Sequence, residues 1–262
     1  MVFFTAVKYL KYIILSKHKK GFGIHSPFVF DLVSRVFRNK IDPHIVCSIE
    51  KVRNKLKKDH RSIIVKDLGA GSEKLKSNKR RVSDIARNST VPEKYGILLS
   101  NMAAEFGNPL IMEFGTSIGI STMYMASACP DTPVNTIEGC PAVSEIAIQN
   151  FKEAGLKNVT VYTGSFDDVW SKAVSSSINP GLVFIDGDHR KEPILKYFKK
   201  ISEIADNKTV IIIDDIYYSK EMGEAWNEIK HSDKVTVTID IFRMGIVFFR
   251  SGINSNNYII RY

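Results

Sequence analysis

The second half of the chain alternates short apolar runs with amphipathic stretches. Five such runs begin at Leu110, Val134, Val159, Leu182 and Thr209, and each is followed by apolar positions at helical spacing. This alternation predicts parallel strands joined by right-handed helical crossovers, with helices on both faces of the sheet. The last two runs, 235–241 and 245–249, are separated by a short loop only and predict an antiparallel hairpin. We therefore predict the α/β class, with a doubly wound, mainly parallel sheet of seven strands.

The first hundred residues have a different pattern, because their apolar positions recur mostly at helical spacing. Residues 3–15 predict an amphipathic helix that packs on its own protein or on a second subunit, or lies at a membrane interface. A second helix is expected to begin at Pro27, with Ser26 as its N-cap. We expect two parts: a basic, mostly helical region over 1–105 that forms lid, substrate or oligomer contacts, and an α/β domain over 106–262.

Composition agrees with a folded, water-soluble protein. The 262 residues are 44% hydrophobic and 25% charged, and no apolar run is long enough for a transmembrane helix. The three cysteines are an odd number and form no C-x-x-C pair, which argues against a disulfide framework or a structural zinc site. A reduced, cytoplasmic setting is the expectation.

Charge is distributed unevenly. Residues 1–100 hold 22 Lys/Arg and 8 Asp/Glu, a net +14, whereas the whole chain carries +9. Residues 51–81 alone hold 12 basic and 3 acidic side chains. Such a segment can attract phosphate groups, nucleic acid or an anionic membrane. Nucleic acid is the disfavoured partner, since no aromatic residues interleave the segment for stacking on bases.

Two glycine-containing segments compete for the ligand loop that follows the first strand of such a sheet. In Ile63–Ser72 the glycines precede a highly charged stretch that could not form a buried helix. Leu110–Ser121 leads into a plausible packing helix, and an acid, Glu138, ends the next strand. We assign the loop to Gly115–Ser121 and interpret Gly69–Gly71 as a turn of the helical region, a candidate lid. Neither a G-x-G-x-x-G nor a P-loop pattern is present, which argues against NAD and ordinary P-loop nucleotides.

Further motifs follow this loop in order between residues 109 and 250. The set is Glu113-Phe-Gly-Thr-Ser-Ile-Gly119-Ile-Ser121, Glu138, Gly164-Ser165-Phe166-Asp167, Phe184-Ile185-Asp186-Gly187-Asp188-His189 and Asp214-Asp215. In order and spacing these motifs resemble the class I S-adenosylmethionine-dependent methyltransferases, which implies a Rossmann-like fold and S-adenosyl-L-methionine as cofactor. The resemblance implies cofactor contacts for Glu113, Gly115, Thr116, Ser117, Gly119, Ser121 and Asp186. It further implies that Glu138 binds the ribose and that Ser165 and Phe166 flank the adenine.

Three acids lie at the ends of two neighbouring predicted strands. Asp186 ends the fourth strand, and Asp214 and Asp215 end the fifth. Three carboxylates at one edge repel each other unless a cation neutralises them, and oxygen ligands suit Mg²⁺, Mn²⁺ or Ca²⁺. This pattern is similar to the metal-dependent O-methyltransferases of the catechol, caffeoyl-coenzyme A and, with its three aspartates, antibiotic-sugar types. The other interpretation is that Asp186 contacts only the cofactor while the other two cap a loop.

The resemblance implies methyl transfer to the oxygen of a small hydroxylated acceptor, assisted by Mg²⁺ or Mn²⁺ at Asp186, Asp214 and Asp215. Asp188 or His189 is the candidate base. Tyr217 and Tyr218 either wall the acceptor pocket or serve as packing residues. Two other functions stay open: an RNA or protein methyltransferase that grips its substrate through 51–81, and a non-catalytic cofactor-binding or scaffold protein. A homodimer is a possible assembly.

Overall fold

The computed structural model describes residues 2–16, 23–66, 78–174 and 178–262. Its helices are α1 Val2–Leu15, α2 Pro27–Asp31, α3 Pro43–Leu56, α4 Val82–Asn88, α5 Glu93–Phe106, α6 Ile120–Ala128, α7 Pro141–Glu153, α8 Phe166–Ala173, α9 Lys191–Ile204 and α10 Lys220–Lys230. Its strands are β1 Ser62–Ile64, β2 Lys79–Arg81, β3 Ile111–Phe114, β4 Val134–Glu138, β5 Val159–Thr163, β6 Leu182–Ile185, β7 Val210–Ile213, β8 Val237–Asp240, β9 Gly245–Phe248 and β10 Asn256–Ile259.

The main sheet has the strand order β10-β8-β9-β7-β6-β3-β4-β5. Neighbouring strands are parallel except at β9, which is antiparallel to both β7 and β8. The chain moves outward from β3 through β4 to β5 and then returns to place β6 on the other side of β3. Between β3 and β6 the sheet therefore has its topological switch point, where ligands of such folds bind. The predicted fold class and the antiparallel hairpin are confirmed.

The predicted number of seven strands was wrong by one. β10 pairs in parallel with β8, with Asn256 opposite Val237, and extends the sheet to eight strands. Its residues are exposed or half-buried and include two asparagines, so they lack the apolar pattern by which the other strands were recognised.

Side chains on the two faces of the sheet enter two separate layers of core. In β3, Ile111 belongs to a cluster that contains residues of α5 and α6, whereas Met112 belongs to a cluster with residues of α9 and α10. Both side chains are fully buried, as are all four residues of β3. Helices therefore cover both faces, and burial of each such side chain stabilises the fold by about 1.5–3 kcal/mol.

The helical region before the sheet largely follows its prediction. Ser26 is the N-cap of α2, since its Oγ accepts a hydrogen bond from the Val29 N–H at 3.3 Å. A π-helical turn, Leu32–Val36, continues that helix. β1 and β2 were not predicted as a pair, and they form an antiparallel hairpin outside the main sheet. Gly69–Gly71 lies outside the described residues, and within those residues no helix is long and apolar enough to cross a membrane.

Candidate active site

One edge of the sheet concentrates strained backbone. The loops after β3, β6, β7 and β8 meet there, and each holds one non-glycine residue with positive φ: Ser117 (49°), Asp188 (53°), Asp215 (51°) and Phe242 (71°). Elsewhere in the described ranges no residue other than glycine has positive φ. Such conformations cost on the order of 1–3 kcal/mol each and cluster at functional sites. This edge is therefore the candidate site.

Glycine is required at two positions of the loop after β3. Gly115 has φ +104°, and a Cβ there would lie 2.4 Å from the carbonyl oxygen of Asp186. Gly119 has φ +87°, and its Cβ would lie 2.5 Å from Cε1 of Phe151. The loop therefore approaches the end of β6 more closely than any side chain would allow. Gly119 is the N-cap residue of α6.

Beneath this loop lies a buried hydroxyl network around Glu113. Glu113 is fully buried and accepts hydrogen bonds from the hydroxyls of Ser121 (2.6 Å), Thr122 (2.5 Å) and Thr136 (2.6 Å). The Thr116 hydroxyl lies 2.6 Å from that of Thr136. Burial raises the pKa of Glu113 to about 7, although the three hydroxyl donors act in the opposite direction. Glu113, Thr116 and Ser121 thus support the loop from below.

Glu138 connects the loop after β3 with the ends of two other strands. Its Oε2 accepts from the Ser117 N–H at 2.8 Å and its Oε1 from the Cys140 N–H at 2.9 Å. Its main-chain carbonyl accepts from the Gly164 N–H at 2.9 Å, which brings in the loop after β5. The half-buried carboxylate therefore lies at the rim of the switch point, as expected for a group that binds a ribose.

Ser165 and Phe166 begin α8 beside this rim. The Ser165 hydroxyl caps the helix by accepting from the Asp168 N–H at 3.2 Å. The half-buried Phe166 ring packs edge-on against Phe114, with ring centroids 5.3 Å apart. A Cβ on Gly187 would lie 2.6 Å from Cζ of Phe166, so this ring extends from the β5 side toward the end of β6.

The acids after β6 and β7 lie side by side but do not form a metal site. The Asp214 N–H donates to the Ile185 carbonyl at 2.9 Å, which aligns the two strand ends. Asp214 is fully buried, and both its oxygens accept from Arg243, at 3.0 Å from Nε and 2.6 Å from Nη2. Across the described ranges, no three His, Cys, Asp or Glu side chains are arranged to hold a metal ion. The residues present therefore do not fit the predicted Mg²⁺ or Mn²⁺ at Asp186, Asp214 and Asp215.

Burial governs the electrostatics of this cluster. It raises the pKa of Asp186 well above its ordinary value, and the charges of Asp214 and Asp215 raise it further. Burial also raises the pKa of Asp215, and Asp214 adds to the effect. For Arg243, burial lowers the pKa, but the facing carboxylates outweigh it and the net change is upward. The guanidinium is therefore a permanent cation among the three acids.

The two candidate bases have different surroundings. Both oxygens of Asp188 are held by Arg190, at 2.6 Å from Nε and 2.7 Å from Nη2. His189 Nε2 lies 3.6 Å from Asp186 Oδ1, and the His189 ring is 5.6 Å from that of Tyr218. His189 Nδ1 is buried without a hydrogen-bond partner in the described part of the chain. A buried nitrogen of this kind is an exception in folded proteins, and a catalytic role and a bound water are among its ordinary explanations.

Sequence reasoning missed Arg243 and Phe242. They form the turn between β8 and β9, where Phe242 has φ +71° and packs its ring 5.7 Å from that of Tyr217. The Tyr217 hydroxyl is held by Asp240 at 2.5 Å. The sequence shows Arg243 as the one basic residue in the short loop between β8 and β9, but not that this loop faces the acids after β7.

Comparisons with known proteins agree with this architecture. Residues 112–216 match the family model described as a methyltransferase domain. A catechol O-methyltransferase from Niastella koreensis is 33% identical over 109 residues, which are 40% of this chain and 48% of that protein. The chain thus spans about half the length of the curated relatives it matches.

Solved structures extend the similarity of the fold. The O-methyltransferase of tomaymycin synthesis from Streptomyces achromogenes, in complex with SAM, has a TM-score of 0.57 at 17% identity and covers 85% of this chain and 96% of its own. An O-methyltransferase from Bacillus cereus, in complex with SAH, has a TM-score of 0.54 at 20% identity, with coverage of 84% and 97%. Residues 112–216 therefore match a methyltransferase domain, and the solved structures show that the fold is shared with O-methyltransferases, in agreement with the resemblance that the motifs indicate.

Proposed function

We propose that this protein transfers a methyl group from S-adenosyl-L-methionine to the oxygen of a small hydroxylated acceptor. The observation that carries the proposal is the Glu138 carboxylate at the switch point, fixed by the backbone N–H groups of Ser117 and Cys140. The relative named as a catechol O-methyltransferase supports an acceptor of this class. A cytoplasmic location, a homodimer and the division at residue 105 stay predictions.

The residues present suit this cofactor. Glu138 would accept hydrogen bonds from the ribose hydroxyls, and the half-buried Phe166 ring offers an apolar surface to the adenine. The N-terminal end of α6, which follows Gly119, would favour the carboxylate of the methionine part. When bound, the cofactor supplies an electrophilic methyl group on a sulfonium centre.

His189 is the base that the geometry favours over Asp188. Arg190 engages both Asp188 oxygens, which leaves that carboxylate poorly placed to take a proton. Methyl transfer forms an oxygen–carbon bond and breaks a carbon–sulfur bond whose electron pair stays on sulfur. The acceptor proton would move to the His189 ring, whose Nε2 lies 3.6 Å from Asp186 Oδ1.

Cofactor binding is tested by calorimetry with S-adenosyl-L-methionine on the full chain. Glu138→Ala is expected to weaken binding at least ~10-fold, since hydrogen bonds to a charged group contribute about 1.5–3 kcal/mol each. Glu145→Ala, at an exposed position of α7, is the matched control and should leave affinity unchanged. No heat with wild-type protein, or equal affinity in all three proteins, contradicts the proposal.

The base is tested by turnover of a panel of catechols, phenols and sugar hydroxyls. His189→Gln is expected to lower kcat by roughly 100-fold or more at unchanged cofactor affinity, because a positioned base contributes about 10²–10⁴-fold. Asp188→Asn should have a much smaller effect on kcat. His231→Gln, at the exposed end of α10, serves as the histidine control. A full-rate His189→Gln enzyme contradicts the assignment.

A further inference from the structure

An ion pair with one fully buried partner lies at the acids where the motif resemblance implies a divalent cation. Asp214 is fully buried, and Arg243 binds it through two nearly parallel hydrogen bonds, Nε to Oδ1 and Nη2 to Oδ2. The same Nη2 lies 3.7 Å from Asp215 Oδ1. A bidentate guanidinium–carboxylate pair is the strongest geometry that these two groups can adopt. One side chain therefore faces both acids after β7.

Main-chain hydrogen bonds also fix the position of Arg243. Its carbonyl accepts from the Ile216 N–H at 3.2 Å, directly after the two acids, and its N–H donates to the Ile241 carbonyl at 2.9 Å. The preceding residue, Phe242, has the unfavourable φ of +71° that makes the turn possible. The guanidinium also lies over the Tyr95 ring, 5.6 Å from its centroid.

A divalent ion would have to displace this guanidinium. Both oxygens of the fully buried Asp214 accept from Arg243, so a metal bound to Asp214 would lie directly beside that guanidinium. Removing one partner of a buried pair leaves an uncompensated charge, and the penalty would weaken metal binding by roughly 100-fold or more. A +2 ion beside the displaced Arg243 would also be repelled by it.

We propose that Arg243 takes the place of the divalent cation at this site, so that the protein neither binds nor requires a metal there. The methyl-transfer part of this inference rests on the proposed function, whereas the metal-binding part does not. The Arg243 side chain is 28% exposed, so part of the guanidinium remains accessible. Its free N–H groups can donate to the acceptor oxygen as negative charge develops there.

The test is direct titration of the full chain with Mn²⁺ alone, after dialysis against EDTA, followed by electron paramagnetic resonance of free Mn²⁺. Wild-type protein is expected to bind no Mn²⁺ below about 1 mM at this site. Arg243→Met should bind Mn²⁺ at least ~100-fold more tightly, because it frees the Asp214 carboxylate. Adding Asp214→Asn to that variant should abolish the gain.

Two controls keep the outcome interpretable. Arg250→Met removes an exposed arginine, which lies over Phe28 at 4.3 Å, and should create no Mn²⁺ site. Should Arg243→Met fail to fold, wild-type and Asp214→Asn proteins still decide the matter. Micromolar Mn²⁺ binding by wild type that is lost in Asp214→Asn overturns the proposal, as does methyl transfer that stops on chelation and returns with Mn²⁺. Failure of all acceptors would refute the proposed function and leave the Mn²⁺ result standing.

Discussion

Glu113 is a carboxyl group enclosed by protein on every side. Three hydroxyls donate to it, yet burial dominates and raises its pKa to about 7 from an ordinary value of 4.5. A carboxyl whose pKa is higher in the folded state binds more protons there than in the unfolded chain. Its contribution to stability is therefore complete below about pH 4.5 and is lost as pH rises through about 7.

This linkage predicts a pH-dependent effect of Glu113→Gln. From about pH 5 to about pH 8, the free energy of unfolding of wild type should fall relative to that of the variant by on the order of 3 kcal/mol. Urea unfolding at several pH values measures the difference, and Glu145→Gln is the exposed control. The prediction is contradicted if the free energies of unfolding of wild type and Glu113→Gln change with pH in parallel.

Alanine substitutions at Gly115 and Gly155 distinguish two destabilising effects, backbone strain at positive φ and steric clash of the added Cβ. Both have positive φ, but a Cβ on Gly155 would meet nothing within 4 Å, whereas one on Gly115 would clash with the Asp186 backbone. We expect Gly155→Ala to cost about 1 kcal/mol and Gly115→Ala at least about 2 kcal/mol more. The urea midpoints of the two variants, compared at constant m-value, measure these losses of stability. Equal losses would show that the protein accommodates the Gly115→Ala methyl group at no extra cost.

At the scale of elements, Tyr12 and Arg261 join α1 to the segment that follows the final strand, and Arg261 Nη2 donates to the Ile13 carbonyl at 2.6 Å. The buried Tyr12 hydroxyl donates to the Ile260 carbonyl and accepts from the Tyr262 N–H, both at 2.9 Å. The opposite face of α1 is exposed and apolar, with Phe3, Leu10 and Ile14 between 61% and 83% accessible. The predicted helix is present, but it is attached through its other side, and the apolar face from which it was predicted does not pack on the described part of the chain.

Tyr12→Phe should loosen that attachment. Removing the hydroxyl leaves two main-chain groups without their partner, which we expect to cost about 1–3 kcal/mol. Tyr9→Phe, on the same helix but half exposed, should change stability by less than about 0.5 kcal/mol. Thermal unfolding compares the two variants, and amide exchange at Tyr262 should accelerate only in Tyr12→Phe. Equal effects of both substitutions would contradict this account.

Elements were predictable where burial dictates the pattern. β3, β6 and β7 have every residue buried and could be recognised as apolar runs bounded by polar residues. β1 and β2 are short and mostly exposed, so no hydrophobic pattern marks them. The position of Glu138 at the candidate site was predictable because it directly ends a strand. The role of Arg243 was not, since it depends on how the β8–β9 turn approaches Asp214, 29 residues earlier in the chain.

At the scale of the whole molecule, the helical region and the sheet share one core. Leu98 of α5 is fully buried in the same cluster as Ile111, Phe184 and Ile212 of the sheet. The two tryptophans, Trp170 and Trp226, lie in the cluster on the other face. No boundary in these packing layers separates residues before and after 105 within the described ranges.

This continuity predicts that a substitution in α5 destabilises the entire fold. Leu98→Ala should cost about 2–5 kcal/mol and should lower the urea midpoint equally by tryptophan fluorescence and by circular dichroism. The fluorescence reports residues on the far face of the sheet, so agreement of the two signals shows cooperative unfolding. A fluorescence midpoint that stays in place while ellipticity falls earlier would mark the helical region as an independent unit.

The Arg243–Asp214 pair has a consequence for how such an activity would respond to its surroundings. The Arg243 guanidinium is covalently part of the protein, so every folded molecule contains it. A dissociable metal ion, in contrast, can be lost to a chelator, exchanged for another metal or scarce in the cell. The catalytic output would then follow protein abundance and the supply of methyl donor, and would be indifferent to cellular manganese and magnesium.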